Sequence, residues 1–184
     1  MAIDRRAILR KAAKATVSGT GVNFSDGRGR LVVKRLAFED GFEGVRFVAD
    51  FVVLASQKIP IVSLKTGQPL DIAPNPAGTE VNYVLMLDKH ESAYGNMKNL
   101  FLSLYGEAEC SEDEFVDAAD EATEKNTARG LLLDYSTIRK VTKEKKVEIT
   151  IPKWATVPDQ DQDKWGKWLD AWVLGSTMTS EAKA

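Results

Sequence analysis

The sequence predicts a mainly β domain with helices: a five-stranded antiparallel barrel, a helical unit between its third and fourth strands, and a helix at each end. Three observations carry this. Five segments are β-branched or alternate apolar with polar residues. Two segments between the third and fourth of them carry helix signals, one an apolar stripe and the other a capped start. Near the C-terminus Trp165, Trp168, Leu169 and Trp172 recur at i, i+3, i+4 and i+7.

In chain order, residues 4–15 predict a short helix of good helix formers that Asp4 can cap. Its cations are Arg5, Arg6, Arg10, Lys11 and Lys14. The Gly- and Ser-rich stretch SGTGVNFSDGRGR then reads as a joint. Strands follow at 30–38 and 44–54, joined by the turn EDGFEG; Val45, Phe47, Ala49, Phe51 and Val53 share one face of the second. Pro60, Pro69, Pro74 and Pro76 exclude a regular central strand from the next stretch, which reads as a long excursion. The third strand is 81–88.

Met97, Leu100, Phe101 and Leu104 then form one helical stripe that Gly106 can end. Ser111 and Glu114 fit a capping box at the start of a second helix, with acidic residues in its first turn, Lys125 and Arg129 at its end and Gly130 to close it. Strands at 131–139 and 145–151 complete the sheet, Leu131, Leu133, Tyr135 and Thr137 sharing one face of the former. The residues between them form a hairpin tip.

Composition narrows the function classes. Hydrophobic residues are 43% of 184, enough for a core. No apolar run reaches the roughly 20 residues of a membrane helix, and the N-terminus lacks an apolar stretch of signal-peptide length, so a cytoplasmic protein without a membrane partner is expected. One cysteine, Cys110, allows no internal disulfide, and with a single histidine, His90, zinc fingers and Cys-x-x-Cys chemistry are excluded. His90 has no nucleophile motif beside it. Asp88, Glu91, Glu112, Asp113 and Glu114 could meet a divalent cation, but capping accounts for their placement at helix starts. SDGRGR lacks the Lys-Ser/Thr end of a phosphate-binding loop. A non-enzyme without metal or cofactor is expected.

The order β-β-β-α-α-β-β matches the partly open Greek-key barrel called the OB-fold, with an α+β sandwich as the structural alternative. That barrel gives a role to the stretch RKVTKEKKVEITIPKW, which has six basic and two acidic residues in a chain of net charge −2. Its tip, with Lys143, Lys145 and Lys146, would flank the groove in which such barrels hold ligands. Arg28, Arg30 and Arg46 are further candidates for phosphate contact, Arg46 because it lies on the face opposite Phe47 and Phe51. Tyr83, Tyr135 and Trp154 are candidate stacking surfaces. The two tyrosines suit either face of a strand, and Trp154 also suits a packed barrel rim. A solvated turn that blunts a sheet edge is the plainer reading of the lysines. Core or interface is the plainer reading of the tryptophan stripe.

The segments NMKNLFLSLYG and ARGLLLDYSTIRKVTKEKKVEITIPKW resemble bacteriophage single-stranded DNA-binding proteins that carry a helical insertion in an OB barrel. The resemblance covers roughly residues 30–154. It departs from the pattern at Glu144-Lys145, where Gly is usual, and in the tail TSEAKA, which lacks an acidic, Phe-ended tip. The sequence as a whole is expected to divide into a basic N-terminal helix or arm at 1–20, an OB-fold-like domain at 21–156, and a Trp-rich helix with a mobile tail at 157–184. The implied function is non-catalytic, sequence-independent single-stranded DNA binding in phage replication or recombination, in the host cytoplasm, with a homo-oligomer as a further partner state. A virion or tail assembly protein is the alternative, and a metal-dependent nuclease a distant third.

Overall fold

The computed structural model describes residues 5–14, 25–41, 44–87, 91–142 and 147–181, and the side chains of most of these. The hairpin tip with Lys143, Lys145 and Lys146 lies outside the described residues, as do Asp4, Asp88 and His90. The elements are α1 (Arg5–Lys14), β1 (Arg28–Gly41), β2 (Gly44–Gln57), β3 (Ile61–Val62), β4 (Pro69–Leu70), β5 (Glu80–Met86), α2 (Glu91–Tyr105), α3 (Glu112–Glu124), β6 (Leu132–Val141), β7 (Glu148–Thr156) and α4 (Gln162–Glu181). Five strands form one antiparallel sheet in the order β5-β2-β1-β6-β7, and β3 and β4 pair separately inside the proline-rich excursion.

Sequence parity sets the two faces of the sheet. Leu31, Val33, Leu36, Phe47, Ala49, Phe51, Val81, Tyr83, Leu133 and Tyr135 point to one face, where α2 and α3 cover them and α1 packs on those helices. The predicted stripe Met97, Leu100, Phe101 and Leu104 is the buried face of α2. Val32, Val52 and Leu132 point to the other face. They are directly opposed in the pairing, and α4 covers them with Leu169 and the flanking Trp165, Trp168 and Trp172. The tryptophan stripe thus packs on the chain's own sheet.

Two irregularities in the β1–β2 ladder, between Arg30 and Leu31 and between Val33 and Arg35, bend the long strands. Gly29 sits beside the first. A Cβ there would lie 2.0 Å from the carbonyl oxygen of Ala55, so only glycine allows this approach.

The five strands of the expected OB-fold-like barrel form a sheet that is not closed into a barrel. The hydrogen-bonded order ends at β5 on one side and β7 on the other. The sheet nevertheless curls until side chains from its two edges meet: the rings of Tyr83 and Trp154 are T-shaped at 5.2 Å, and Trp154 also touches Phe51 at 5.8 Å.

Three local expectations change in detail. The seventh strand runs on to Thr156 through Pro152, which an edge strand tolerates. The capping box of Ser111 and Glu114 is present, but α3 ends at Glu124, with Asn126 at φ 54 in the left-handed position, instead of at Gly130. Gly130, at φ 88, leads into β6. A Cβ there would meet the Gln162 carbonyl at 2.6 Å, so this glycine lets α4 come down on the sheet. The N-terminal helix is docked on α3: Leu9 is fully buried, and Arg6 and Arg10 face Asp117, Asp120, Glu112 and Asp113 at 3.5–3.8 Å. These cations already face carboxylates within the chain. Among the described residues no helix is long and apolar enough to cross a membrane.

Candidate nucleic-acid interface

The helix α4 lies along the cross-strand row Leu132, Val32, Val52 and Glu80. Arg129 fixes one end, donating to the Gly166 carbonyl at 3.2 Å and to Asp170 at 2.7 Å. At the other end Lys34 lies 5.5 Å from the Trp172 ring centroid and bonds Glu80 at 2.7 Å. The helix divides the outer face into two fields.

On the β6–β7 side of α4, one row crosses four strands: Gln57, Arg28, Ser136 and Lys153. It spans about 14 Å, three strand spacings. Arg28 is exposed and, among the described residues, donates only to the neutral Gln57, at 2.8 Å. Lys153 is exposed, and Lys140 lies further along β6; neither has an ion-pair partner among the described residues. Arg30, in the adjoining row, makes a two-point pair with Asp134 at 2.7 and 2.9 Å, which fixes its guanidinium and raises its pKa further. Arg28, Gly29, Arg30, Ala55, Ser56, Gln57, Asp134 and Tyr135 line a shallow cleft of about 450 Å3 here.

On the other side of α4 the polar groups satisfy one another. Arg46 donates to Glu39 at 2.8 and 3.2 Å, Arg35 bridges Glu39 at 2.7 Å and Asp50 at 2.8 Å, and Asn82 donates to Asp50 at 2.6 Å. Arg35, with help from Arg46, holds the Glu39 carboxyl below its usual pKa. Charge here is balanced within the chain.

The sequence-predicted residues therefore separate. Arg28 and Arg30 share the open field. Arg46 points outward as expected but sits beyond α4, committed to Glu39. Tyr83 and Tyr135 do not offer ring faces: they are 2% and 3% exposed on the inner side, and burial pushes both phenols up in pKa. Trp154 is half-buried against Phe51 and Tyr83, so it serves the rim packing and not stacking. Sequence reasoning missed Lys153, Lys140 and Gln57 as members of one surface. Parity offered a signal: Lys153 precedes the inward Trp154 and Ser136 follows the inward Tyr135, so both must point outward.

The root of the lysine hairpin is held firmly. Arg139 donates to Asp26 at 2.8 and 3.0 Å and to Glu148 at 2.8 Å, and Thr150 donates to Asp26 at 3.0 Å. Glu148 also accepts from the Ser63 hydroxyl at 2.6 Å and the Lys65 amide at 2.8 Å. Ser63, then the Lys65 amide, and Arg139 lower its carboxyl to a pKa of about 2. These bonds join the turn of the proline-rich excursion to the hairpin, and the aliphatics around the joint stay in water: Val62 49%, Leu64 54%, Ile138 38%, Val141 37% and Val147 47% exposed. Among the described residues no group of three or more His, Cys, Asp or Glu side chains is placed to hold a metal ion. Comparison with family models, with curated proteins and with solved structures returns no match.

Proposed function

We propose that this protein binds single-stranded DNA without catalysis and with little regard to sequence, in phage replication or recombination, on the outer face of its sheet between α4 and the β6–β7 hairpin. The observation that carries the reading is the row Arg28, Ser136 and Lys153, extended by Lys140. It is an uncovered cationic strip on a rigid sheet whose opposite face is packed. Cations on such a strip gain affinity by releasing counterions from phosphates. The exposed aliphatics beside it give unpaired bases an apolar surface that a duplex, with its bases stacked inside, cannot use.

The proposed fold class is an open OB-type barrel. The long strands, numbered along the chain, stand in the order 3-2-1-4-5, the two edges meet through Tyr83 and Trp154, and α2 and α3 enter between the third and fourth. The same exposed aliphatics favour a second reading, self-association of an assembly protein.

A titration of oligo-dT, a mixed-sequence oligonucleotide and a duplex, at several salt concentrations, separates these readings. Single strands should bind tighter than duplex, with similar affinity for both sequences. Equal or tighter duplex binding defeats the first reading. No binding to any of the three, with growth in mass on sedimentation, transfers the case to assembly.

A further inference from the structure

The helical side of the molecule carries a second depression, across the sheet from the basic row. It measures about 440 Å3 and lies where the end of α2, the following linker and the start of α3 meet. Its floor is apolar: Phe101 and Phe115, T-shaped at 5.7 Å, with Leu102 and Ala118 beside them. Tyr105 forms one wall and is 39% exposed, so part of the apolar surface meets water. Among the described residues, the charged side chains lining the groove are all acidic: Glu107, Glu109 and Glu114. Both Ser111 bonds to the Glu114 side chain, at 2.7 and 2.9 Å, fall on Oε2, which holds this carboxylate in place.

We propose that this groove docks a cationic polypeptide segment of a partner protein, with one bulky apolar side chain seated against Tyr105 and Leu102, above the buried rings of Phe101 and Phe115, and flanking Lys or Arg side chains meeting Glu107, Glu109 and Glu114. Charge complementarity selects this occupant. Nucleic acid would bring phosphates to three carboxylates. A second copy would have to avoid presenting its own acidic α3. The volume falls within the 300–1,000 Å3 of ordinary ligand pockets. An aromatic anchor in a desolvated pocket, ringed by polar contacts, is how most interfaces concentrate their affinity. Because the basic row lies on the opposite side of the sheet, partner and DNA can be held together.

Cys110, the only cysteine of the chain, lines the groove and reports on its occupancy. The probes are labelled peptides KRKWKRK, KRKGKRK and EDEWEDE, and the readouts are anisotropy and the rate of Cys110 alkylation. KRKWKRK should bind at least tenfold tighter than KRKGKRK and slow alkylation at least fivefold at saturation, while EDEWEDE does neither. Glu107→Lys with Glu109→Lys, two substitutions at the groove's acidic edge, should cut KRKWKRK affinity at least tenfold; Ala118→Trp, which fills the groove, should abolish alkylation protection. Equal binding of the Trp and Gly peptides would reduce the effect to bulk charge and overturn the proposal. Unchanged alkylation with peptide bound, or full binding by the double variant, would place the peptide elsewhere. Protection of Cys110 that rises with protein concentration alone, in step with a dimer on sedimentation, would assign the groove to a second copy.

Discussion

Removing Arg28 and Lys153 together probes the proposed DNA site directly. Both side chains are exposed and lie in one cross-strand row, flanking Ser136. Arg28 loses one bond to a neutral partner, and Lys153 loses none to a described residue. Stability of the Arg28→Ala/Lys153→Ala variant should therefore stay within about 0.5 kcal/mol of the parent. Each neutralised phosphate on a single strand contributes about 0.7 to the slope of log K against log salt, so losing two contacts flattens the slope by about 1.4. At 0.1 M salt the same term is worth about 1.4 decades of affinity, about 25-fold or roughly 2 kcal/mol. The assay is fluorescence anisotropy of labelled oligo-dT at five salt concentrations, with a urea melt of each protein. Arg46→Ala is the matched control: it removes one cation from the field beyond α4, where Glu39 already neutralises it, and should leave the slope unchanged. Equal slopes in the parent and the double variant, or a larger change from Arg46→Ala, would refute the assignment of the site to this side of α4.

Two further outcomes test the frame that presents the site. Leu169, fully buried on the sheet-facing side of α4, should cost about 2–5 kcal/mol when changed to Ala, whereas Leu174 on the same helix, 66% exposed, should cost less than about 0.5; calorimetry of both variants checks whether α4 is docked as described. Glu148 sits well below the usual carboxylate range, so the stability it contributes is complete above pH about 4.5 and is lost as pH falls toward 2. Acid unfolding of Glu148→Gln should accordingly be shallower than that of the parent across that interval, and superimposable curves would show that the hairpin root is not held by this charge.

The elements with strong periodicity were legible in the sequence. The alternation through Phe47 and Phe51, the stripe of Met97, Leu100, Phe101 and Leu104, and the Ser111 capping box each depend on local spacing, and each occurs where that spacing puts it. The tryptophan stripe was legible as a packed face but not as to its partner, because its contacts with Val32, Val52 and Leu132 join segments far apart in the chain. Sheet closure was not legible either. It depends on whether two edge strands far apart in the chain come within backbone hydrogen-bonding distance, which no local spacing encodes. The site was half legible for the same reason. Residue type marks Arg28, Arg30 and Arg46 alike as cations, but only the fold shows that Glu39 takes one, Asp134 another, and that Arg28 meets nothing charged among the described residues.

A protein of net charge −2 can bind a polyanion if its charges are sorted by face, and here they are. The acidic residues of α3 gather on the helical side, where Arg6 and Arg10 of α1 face several of them. The inner face of the sheet is apolar and insulates that side from the row carrying Arg28 and Lys153. At 0.15 M ionic strength the Debye length is about 8 Å, and exposed charges farther apart than that through solvent are largely screened from one another. A strand on the outer face would therefore feel Arg28, Lys140 and Lys153 at nearly full strength and the α3 carboxylates weakly. Lowering the salt lengthens the screening distance and admits the repulsion from α3. Affinity for single strands should then rise less steeply below about 0.02 M than the linear counterion law extrapolates.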